Sequence, residues 1–117
     1  MIMEAKNQAD VLIMALNSDA SIQKYKSPLR PIISLENRLR MIAALAFVDY
    51  VTWFEETDPC QILEIIRPDV HINGSEYGED CIEAATVKKY GGRIHIVKLI
   101  EGLSTTKIIE KIHQCAL

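Results

Sequence analysis

The feature that most constrains this chain is Val11 to Leu16, Val-Leu-Ile-Met-Ala-Leu, an unbroken apolar run between Asp10 and the polar group Asn17-Ser18-Asp19. A strand with one wet face alternates apolar and polar residues. This run does not, so it predicts a strand buried on both faces, as in a parallel sheet covered by helices. Three further strands are expected: Tyr50 to Phe54, β-branched and aromatic; Val70 to Asn73, after Arg67-Pro68-Asp69 and stopping at Gly74; and Ile94 to Leu99, after Gly91-Gly92. Between them lie amphipathic stretches with readable ends. Ser34 precedes a helix carrying Leu35, Leu39, Ile42 and Ala46 at helical spacing, with Glu36 four residues before Arg40. Asp58-Pro59 opens a second as N-cap and first helical residue, with Gln61 in capping-box position and Ile62, Leu63, Ile65 and Ile66 turned inward until Arg67-Pro68. Glu79 to Tyr90 reads as a third, closed by Gly91, and Ser104 starts a fourth with Ile108, Ile109 and Ile112 on its buried side. Met3 to Asp10 reads as the end of a helix leading into the first strand. The rhythm predicts an α/β domain with a doubly wound parallel sheet.

At 117 residues the chain has the length of a single domain, 1–117. A net charge of −3, with 49% hydrophobic and 25% charged residues, argues for a globular chain and against nucleic acid or an anionic membrane as main partner. The longest apolar run, Met41 to Val48, is too short to span a bilayer, and no secretion signal opens the sequence, so a cytoplasmic location is expected. Cys60, Cys81 and Cys115 are odd in number and lack Cys-x-x-Cys spacing; they read as reduced thiols, and no metal site is expected.

In open parallel sheets, ligands bind beyond the carboxyl ends of the strands. There the sequence offers Asn17-Ser18-Asp19, Phe54-Glu55-Glu56, Asn73-Gly74-Ser75 and Leu99-Ile100-Glu101-Gly102. All are also ordinary loop and cap residues. Glu101-Gly102-Leu103-Ser104-Thr105-Thr106-Lys107 is more specific. Glycine and three hydroxyl residues at a helix start present backbone N–H groups, side-chain donors and the positive end of the dipole to an anion. A Ser N-cap followed by two inconsequential threonines is the equal alternative. Lys24, Lys26 and Arg30 form a basic cluster around Ser27-Pro28, fit to clamp a phosphate or to face water, and Arg38 on the next helix can join it. His71, His95 and His113 share no ligand spacing and read as structural or solvated residues.

Taken together, VLIMALNSDASIQKYKSPLRPIISLENRLRMIAAL, VDYVTWFEE, RPDVHINGSEYGEDCIEA, GGRI and EGLSTTKIIEKI resemble the cytidylyltransferase-like nucleotidyltransferases. The likeness is nearest to the adenylyltransferase domain that makes ADP-heptose from heptose 1-phosphate for lipopolysaccharide. It extends from about Glu4 to Ile112. It implies a Rossmann-like parallel sheet of order 3-2-1-4-5, and in-line attack by a sugar or polyol phosphate on a nucleotide α-phosphate, with Mg²⁺ on the triphosphate and pyrophosphate leaving. By position, the resemblance assigns Ser104, Thr105, Thr106, Asn73 and Gly74 to the nucleotide. Asn17, Asp19 and Arg30 fall to the phosphorylated substrate, and Lys24, Lys26 and Arg38 to catalysis. ATP or CTP and a sugar phosphate are the implied partners, in a homo-oligomer such as a dimer. Asn73-Gly74-Ser75-Glu76-Tyr77 departs from the Lys-Gly and Asp-Tyr usual in the ADP-heptose group, which leaves the base open.

The family's His-x-Gly-His motif lies on a first strand-turn-helix that has no counterpart in these residues. The expectation is therefore a domain truncated at its N-terminus relative to the family. Its sheet lacks the central strand between Val11–Leu16 and Val70–Asn73, and turnover by this chain alone is weak or absent. Two rivals remain: a glycerol-phosphate cytidylyltransferase, and a non-catalytic nucleotide-binding module whose gap another chain or protomer fills.

Overall fold

A computed structural model describes residues 1–98, 100 and 104–115. The elements are α1 (Ile2–Lys6), β1 (Ile13–Asn17), α2 (Asp19–Tyr25), α3 (Leu35–Ala43), β2 (Tyr50–Phe54), α4 (Cys60–Ile66), β3 (Val70–Gly74), α5 (Ala84–Lys89), β4 (Arg93–Val97) and α6 (Thr105–Gln114). Strands and helices alternate, and both strand pairings are parallel, so the α/β class holds. The expected single sheet is divided. β1 pairs with β2, Ile13 opposite Tyr50 through Asn17 opposite Phe54, while β3 pairs with β4, Val70 opposite Arg93 through Gly74 opposite Val97. Among the described residues no ladder joins β1 to β3.

The boundaries move where side chains find partners that the apolar pattern does not encode. Val11 and Leu12 precede β1 because the Leu12 carbonyl is occupied by the N–H groups of Asp49 and Tyr50 (3.0 and 3.1 Å), which aligns the two strands. Asp49 completes this junction: its carboxylate accepts from the Leu12 N–H (2.8 Å) and from Lys6 Nζ (2.7 Å). The Lys6 and Leu12 hydrogen bonds hold the Asp49 carboxyl below its ordinary value. At α4 the expected cap shifts by one residue. Pro59 takes the N-cap position, and the Asp58 carboxylate accepts from the Cys60 N–H at 3.0 Å. Leu63 is buried as expected, but Ile65 is 81% exposed.

The expected helix from Glu79 to Tyr90 shrinks to Ala84–Lys89, preceded by turns. Glu83, at its start, turns a carboxylate inward to accept from Asn73 Nδ2 (3.0 Å) and to meet His71 Nε2 (3.2 Å). Gly91 follows that helix at φ +80°, the left-handed conformation that glycine adopts without penalty. The last helix starts as expected, but Ile108 and Ile112 lie exposed. The predicted end of the last strand at Leu99 falls outside the described residues.

The core is small. Leu12, Ile22, Phe54, Leu63, Val87 and Val97 are its larger members, with α3 against β1 and β2 and α5 against β4 and α4. The radius of gyration is 15.2 Å, where a compact domain of this length has about 13 Å. Val11 and Ile13, read from sequence as doubly buried, are 55% and 40% exposed. The excess size and the wet apolar run share a cause: among the described residues β1 has a strand on one side only.

Two glycines separate steric from conformational demand. A Cβ on Gly92 would collide with the Pro68 carbonyl oxygen and lie 2.9 Å from Val87 Cγ1, whereas one on Gly91 meets nothing within 4 Å. Gly91→Ala should therefore cost about 1–2 kcal/mol, the penalty of the left-handed backbone alone. Gly92→Ala should lower the melting temperature further, because backbone must move. Asp49 yields a pH-dependent expectation. Its folded carboxyl is more acidic than the ordinary 3.8, so its stabilisation is complete above that value and is lost as pH falls through the lowered one. Asp49→Asn should melt several degrees lower at pH 7, with the difference from wild type shrinking as pH approaches 3.

Candidate functional site

The carboxyl ends of the strands gather most of the residues singled out from sequence. Asn17 ends β1 and donates from Nδ2 to Ser21 Oγ (3.0 Å). Ser21 is fully buried and passes its own hydrogen to the Glu56 carbonyl (2.6 Å), tying α2 to the chain beyond β2. Ser18 caps α2 through the Ser21 N–H, and its own N–H continues the ladder to Phe54. Asp19 then reaches the next helix. Its Oδ1 accepts from the Leu35 N–H (2.9 Å) and from Arg38 Nη2 (2.8 Å), while Arg38 Nε donates to the Ile33 carbonyl (3.0 Å). Asp19 and Arg38 therefore hold one another, and together they tie the start of α2 to the far end of the proline-containing loop that bears Arg30.

Arg30 extends to the start of the last helix, where Nη2 donates to Thr106 Oγ1 at 3.3 Å. Ser104 caps that helix by accepting from the Lys107 N–H (3.1 Å), and the N–H groups of Thr105 and Thr106 stand beside that cap at the positive helix end. Lys107 Nζ is drawn toward Glu110 at 3.4 Å. Lys24 and Lys26 are both exposed on or beside α2. Lys26 Nζ stands 5.9 Å from the Tyr25 ring centre, and Lys24 and Thr105 make no side-chain hydrogen bond or ion pair among the described residues. Glu101 and Gly102, the front of the expected phosphate loop, lie outside the described residues.

β3 brings Asn73 and Gly74 to the same end, but Asn73 spends its amide on Glu83. Gly74 is buried, and the nearest atoms a Cβ there would meet belong to the Glu76 carboxylate, the end of a flexible side chain. The loop beyond approaches α2: burial raises the Tyr25 hydroxyl above its ordinary value, with Tyr77 adding to the rise and Arg38 opposing it.

Two of the histidines pair with carboxylates, and His71 shares Glu83 with Asn73. His71 meets Glu83, and His95 meets Glu4 at 2.9 Å. Cys60, Cys81 and Cys115 are free thiols. Burial, then the Asp58 carboxylate, pushes Cys60 up to about 11, which removes it as a nucleophile near neutrality. No group of three or more His, Cys, Asp or Glu side chains able to hold a metal occurs among the described residues. No helix among them is long and apolar enough to cross a membrane. Sequence reasoning passed over Glu83, whose buried carboxylate organises His71 and Asn73, and Tyr25 with Tyr77. Each is an unremarkable residue within a predicted helix or loop, and only folding makes it a partner.

The chain resembles known proteins over nearly all of its length. The cytidylyltransferase-like family model matches residues 1–111. A bifunctional protein HldE from Syntrophotalea carbinolica is 41% identical over 112 residues, 95% of this chain and 23% of the relative. One from Pseudomonas aeruginosa PAO1 is 44% identical over 112 residues, 95% of this chain and 24% of the relative. The chain thus spans about a quarter of the length of these relatives. A lipopolysaccharide core biosynthesis protein from Thermoplasma volcanium superposes with a TM-score of 0.61 at 25% identity, over 85% of this chain and 80% of that one. A family model that covers residues 1–111, with relatives above 40% identity over 95% of the chain, decides the family: the chain belongs to the cytidylyltransferase-like family.

Proposed function

We propose that this chain is the nucleotidyl-transfer portion of an enzyme of lipopolysaccharide heptose synthesis, one that joins a nucleoside triphosphate, ATP foremost, to a sugar phosphate such as heptose 1-phosphate. A phosphate oxygen of the sugar bonds to the α-phosphorus while the bond from that phosphorus to the bridging oxygen breaks, and pyrophosphate leaves. The observation that carries this reading is the meeting of Arg30 with Thr106 across 76 residues of sequence. It brings a guanidinium and a helix N-terminus to one place, and both are phosphate-binding groups. The sugar class is taken from the resemblance to the ADP-heptose-forming adenylyltransferases, and the likeness to a lipopolysaccharide core biosynthesis protein supports it.

In this reading the reaction needs positioning and charge stabilisation from the protein, with no covalent intermediate. The Thr105 and Thr106 N–H and hydroxyl groups hold the nucleotide phosphates. Arg30 leaves the Thr106 hydroxyl to grip phosphate oxygens with two parallel donors. Lys24 and Lys26 project toward the incoming sugar phosphate. Asn17 and Asp19 shape its seat, Asp19 and Arg38 acting as positioning residues because each satisfies the other. Asn73 and Gly74 line the base side. Mg²⁺ fits this donor set only as a companion of the triphosphate, since it binds largely through substrate phosphates and water, and there it offsets phosphate charge. CTP is the competing nucleotide, favoured by the cytidylyltransferase-like family match.

Thermal shift and calorimetric titration with Mg–ATP and Mg–CTP test the reading. The preferred triphosphate should raise the melting temperature in proportion to its occupancy. Arg30→Ala should weaken binding by roughly tenfold to a hundredfold, the range for losing a charge-assisted contact. Lys89→Ala, remote on α5, should bind as wild type. Absence of any shift with millimolar ATP or CTP, or an Arg30→Ala protein that binds undiminished, contradicts the assignment.

A further inference from the structure

At the carboxyl end of β3 the side-chain amide of Asn73 is held in one orientation. His71 and Asn73 stand two residues apart on the strand and share a face, and Glu83, the N-cap residue of α5, lies against it. One carboxylate oxygen, Oε1, accepts from Asn73 Nδ2 at 3.0 Å and meets His71 Nε2 at 3.2 Å. Glu83 is only 6% exposed, so these contacts are made away from bulk water. A carboxylate only accepts, whereas an amide carries donors at one end and an acceptor at the other. Glu83 therefore takes the nitrogen of Asn73 and leaves its oxygen on the opposite side. The Cys81 thiol belongs to the same cluster: burial and the Glu83 charge raise it above its ordinary value, and the Asn73 amide opposes the rise. Asn73 Oδ1 receives no hydrogen bond among the described residues. No buried side-chain oxygen among them lacks a partner, so this one is open to a ligand.

We propose that Glu83 is a positioning residue for nucleobase choice: it makes Asn73 Oδ1 a fixed acceptor, which takes a base bearing an exocyclic amine, adenine or cytosine, and turns away a keto base. This rests on the reading above in which Asn73 lines the base side of a nucleoside triphosphate site. Adenine and cytosine carry an amino donor where guanine and uracil carry a keto acceptor. Against Oδ1 the amine makes a hydrogen bond. The keto group sets acceptor against acceptor, and both lose water without a replacement. A site built to bond a donor rejects the analogue lacking it more strongly than an apolar pocket rejects a change of shape. The selection falls between amine and keto, not between purine and pyrimidine, so ATP and CTP both pass.

Calorimetric titration of the full chain with the magnesium complexes of ATP, ITP, CTP and UTP tests this. ITP replaces the exocyclic amine of ATP by a keto group, and UTP makes the same exchange on CTP. The wild-type chain should bind ATP at least about tenfold tighter than ITP, and CTP at least about tenfold tighter than UTP. Glu83→Gln keeps the shape but offers Asn73 a donor as well as an acceptor, so the amide is free to reverse and both ratios should fall toward one. Asn73→Ala, which removes the amide, should also bring ATP and ITP together; it and the wild-type ratios carry the test if Glu83→Gln fails to fold. A merely structural role for Glu83 weakens all four ligands alike and leaves the ratios unchanged, and that result overturns the proposal. Equal wild-type affinities for ATP and ITP overturn it without any variant. If all four then bind and Arg30→Ala weakens them alike, the triphosphate site stands and only the base reading falls. Binding of none of the four removes the site, and this inference with it.

Discussion

A parallel strand satisfies its backbone only when it has neighbours on both sides, and that requirement governs this molecule. β1 is written as a strand for the middle of a sheet: its residues are apolar on both faces, with no polar alternation to meet water. Among the described residues it nevertheless has β2 alone for a neighbour, and β3 has β4 alone. The consequences run outward from there. The core is confined to what each strand pair and its helices enclose. Apolar side chains of β1, α4 and α6 stay wet. The molecule is drawn out to 52 Å along its longest axis against 29 and 27 Å across the others.

What keeps the two pairs together is a set of polar ties. At one end α1 reaches to β4, with Glu4 against His95 and Gln8 accepting from Arg93 at 3.0 Å. α5 is tied to α4 by Lys89 and Tyr90, both on Glu64. These contacts are partly or fully exposed, and such interactions contribute about 1 kcal/mol or less apiece. They set the arrangement of the two pairs more than they stabilise it. The contrast with the interior of each pair is sharp. There the Asp49 junction, Ser21 and the strand ladders combine backbone and buried donors, so each pair is firmer than the joint between them.

The strands were legible in the sequence because the signal for them is local. Tyr50–Phe54 carries β-branched and aromatic residues between polar neighbours, and Val70–Asn73 is fenced by proline and glycine; both appear where expected, the second longer by one residue. The helix before Gly91 was overestimated because its first turns depend on where Glu83 points, and that depends on Asn73 and His71 in a strand ten or more residues away. The exposed flank of α6 was illegible for the converse reason: helical spacing of isoleucines tells which face is apolar, not whether anything lies opposite. At the candidate site the residue types were visible, since glycine, hydroxyl and basic residues mark loops and helix starts. Their partnerships were not. Nothing local distinguishes Arg38, spent on Asp19, from Arg30, which reaches Thr106.

That last distinction links the site to the joint. Asn17, Asp19, the lysines and Arg30 ride on the β1–β2 pair, while Asn73 and Gly74 ride on the β3–β4 pair, and α6 follows β4. At the carboxyl ends of the strands, Arg30 meets Thr106 through an exposed hydrogen bond of 3.3 Å between these two groups. In the proposed reading a phosphate chain held by Arg30 and the α6 terminus bears on the spacing of the two pairs, and a ligand shifts such an equilibrium only by its preference for one spacing.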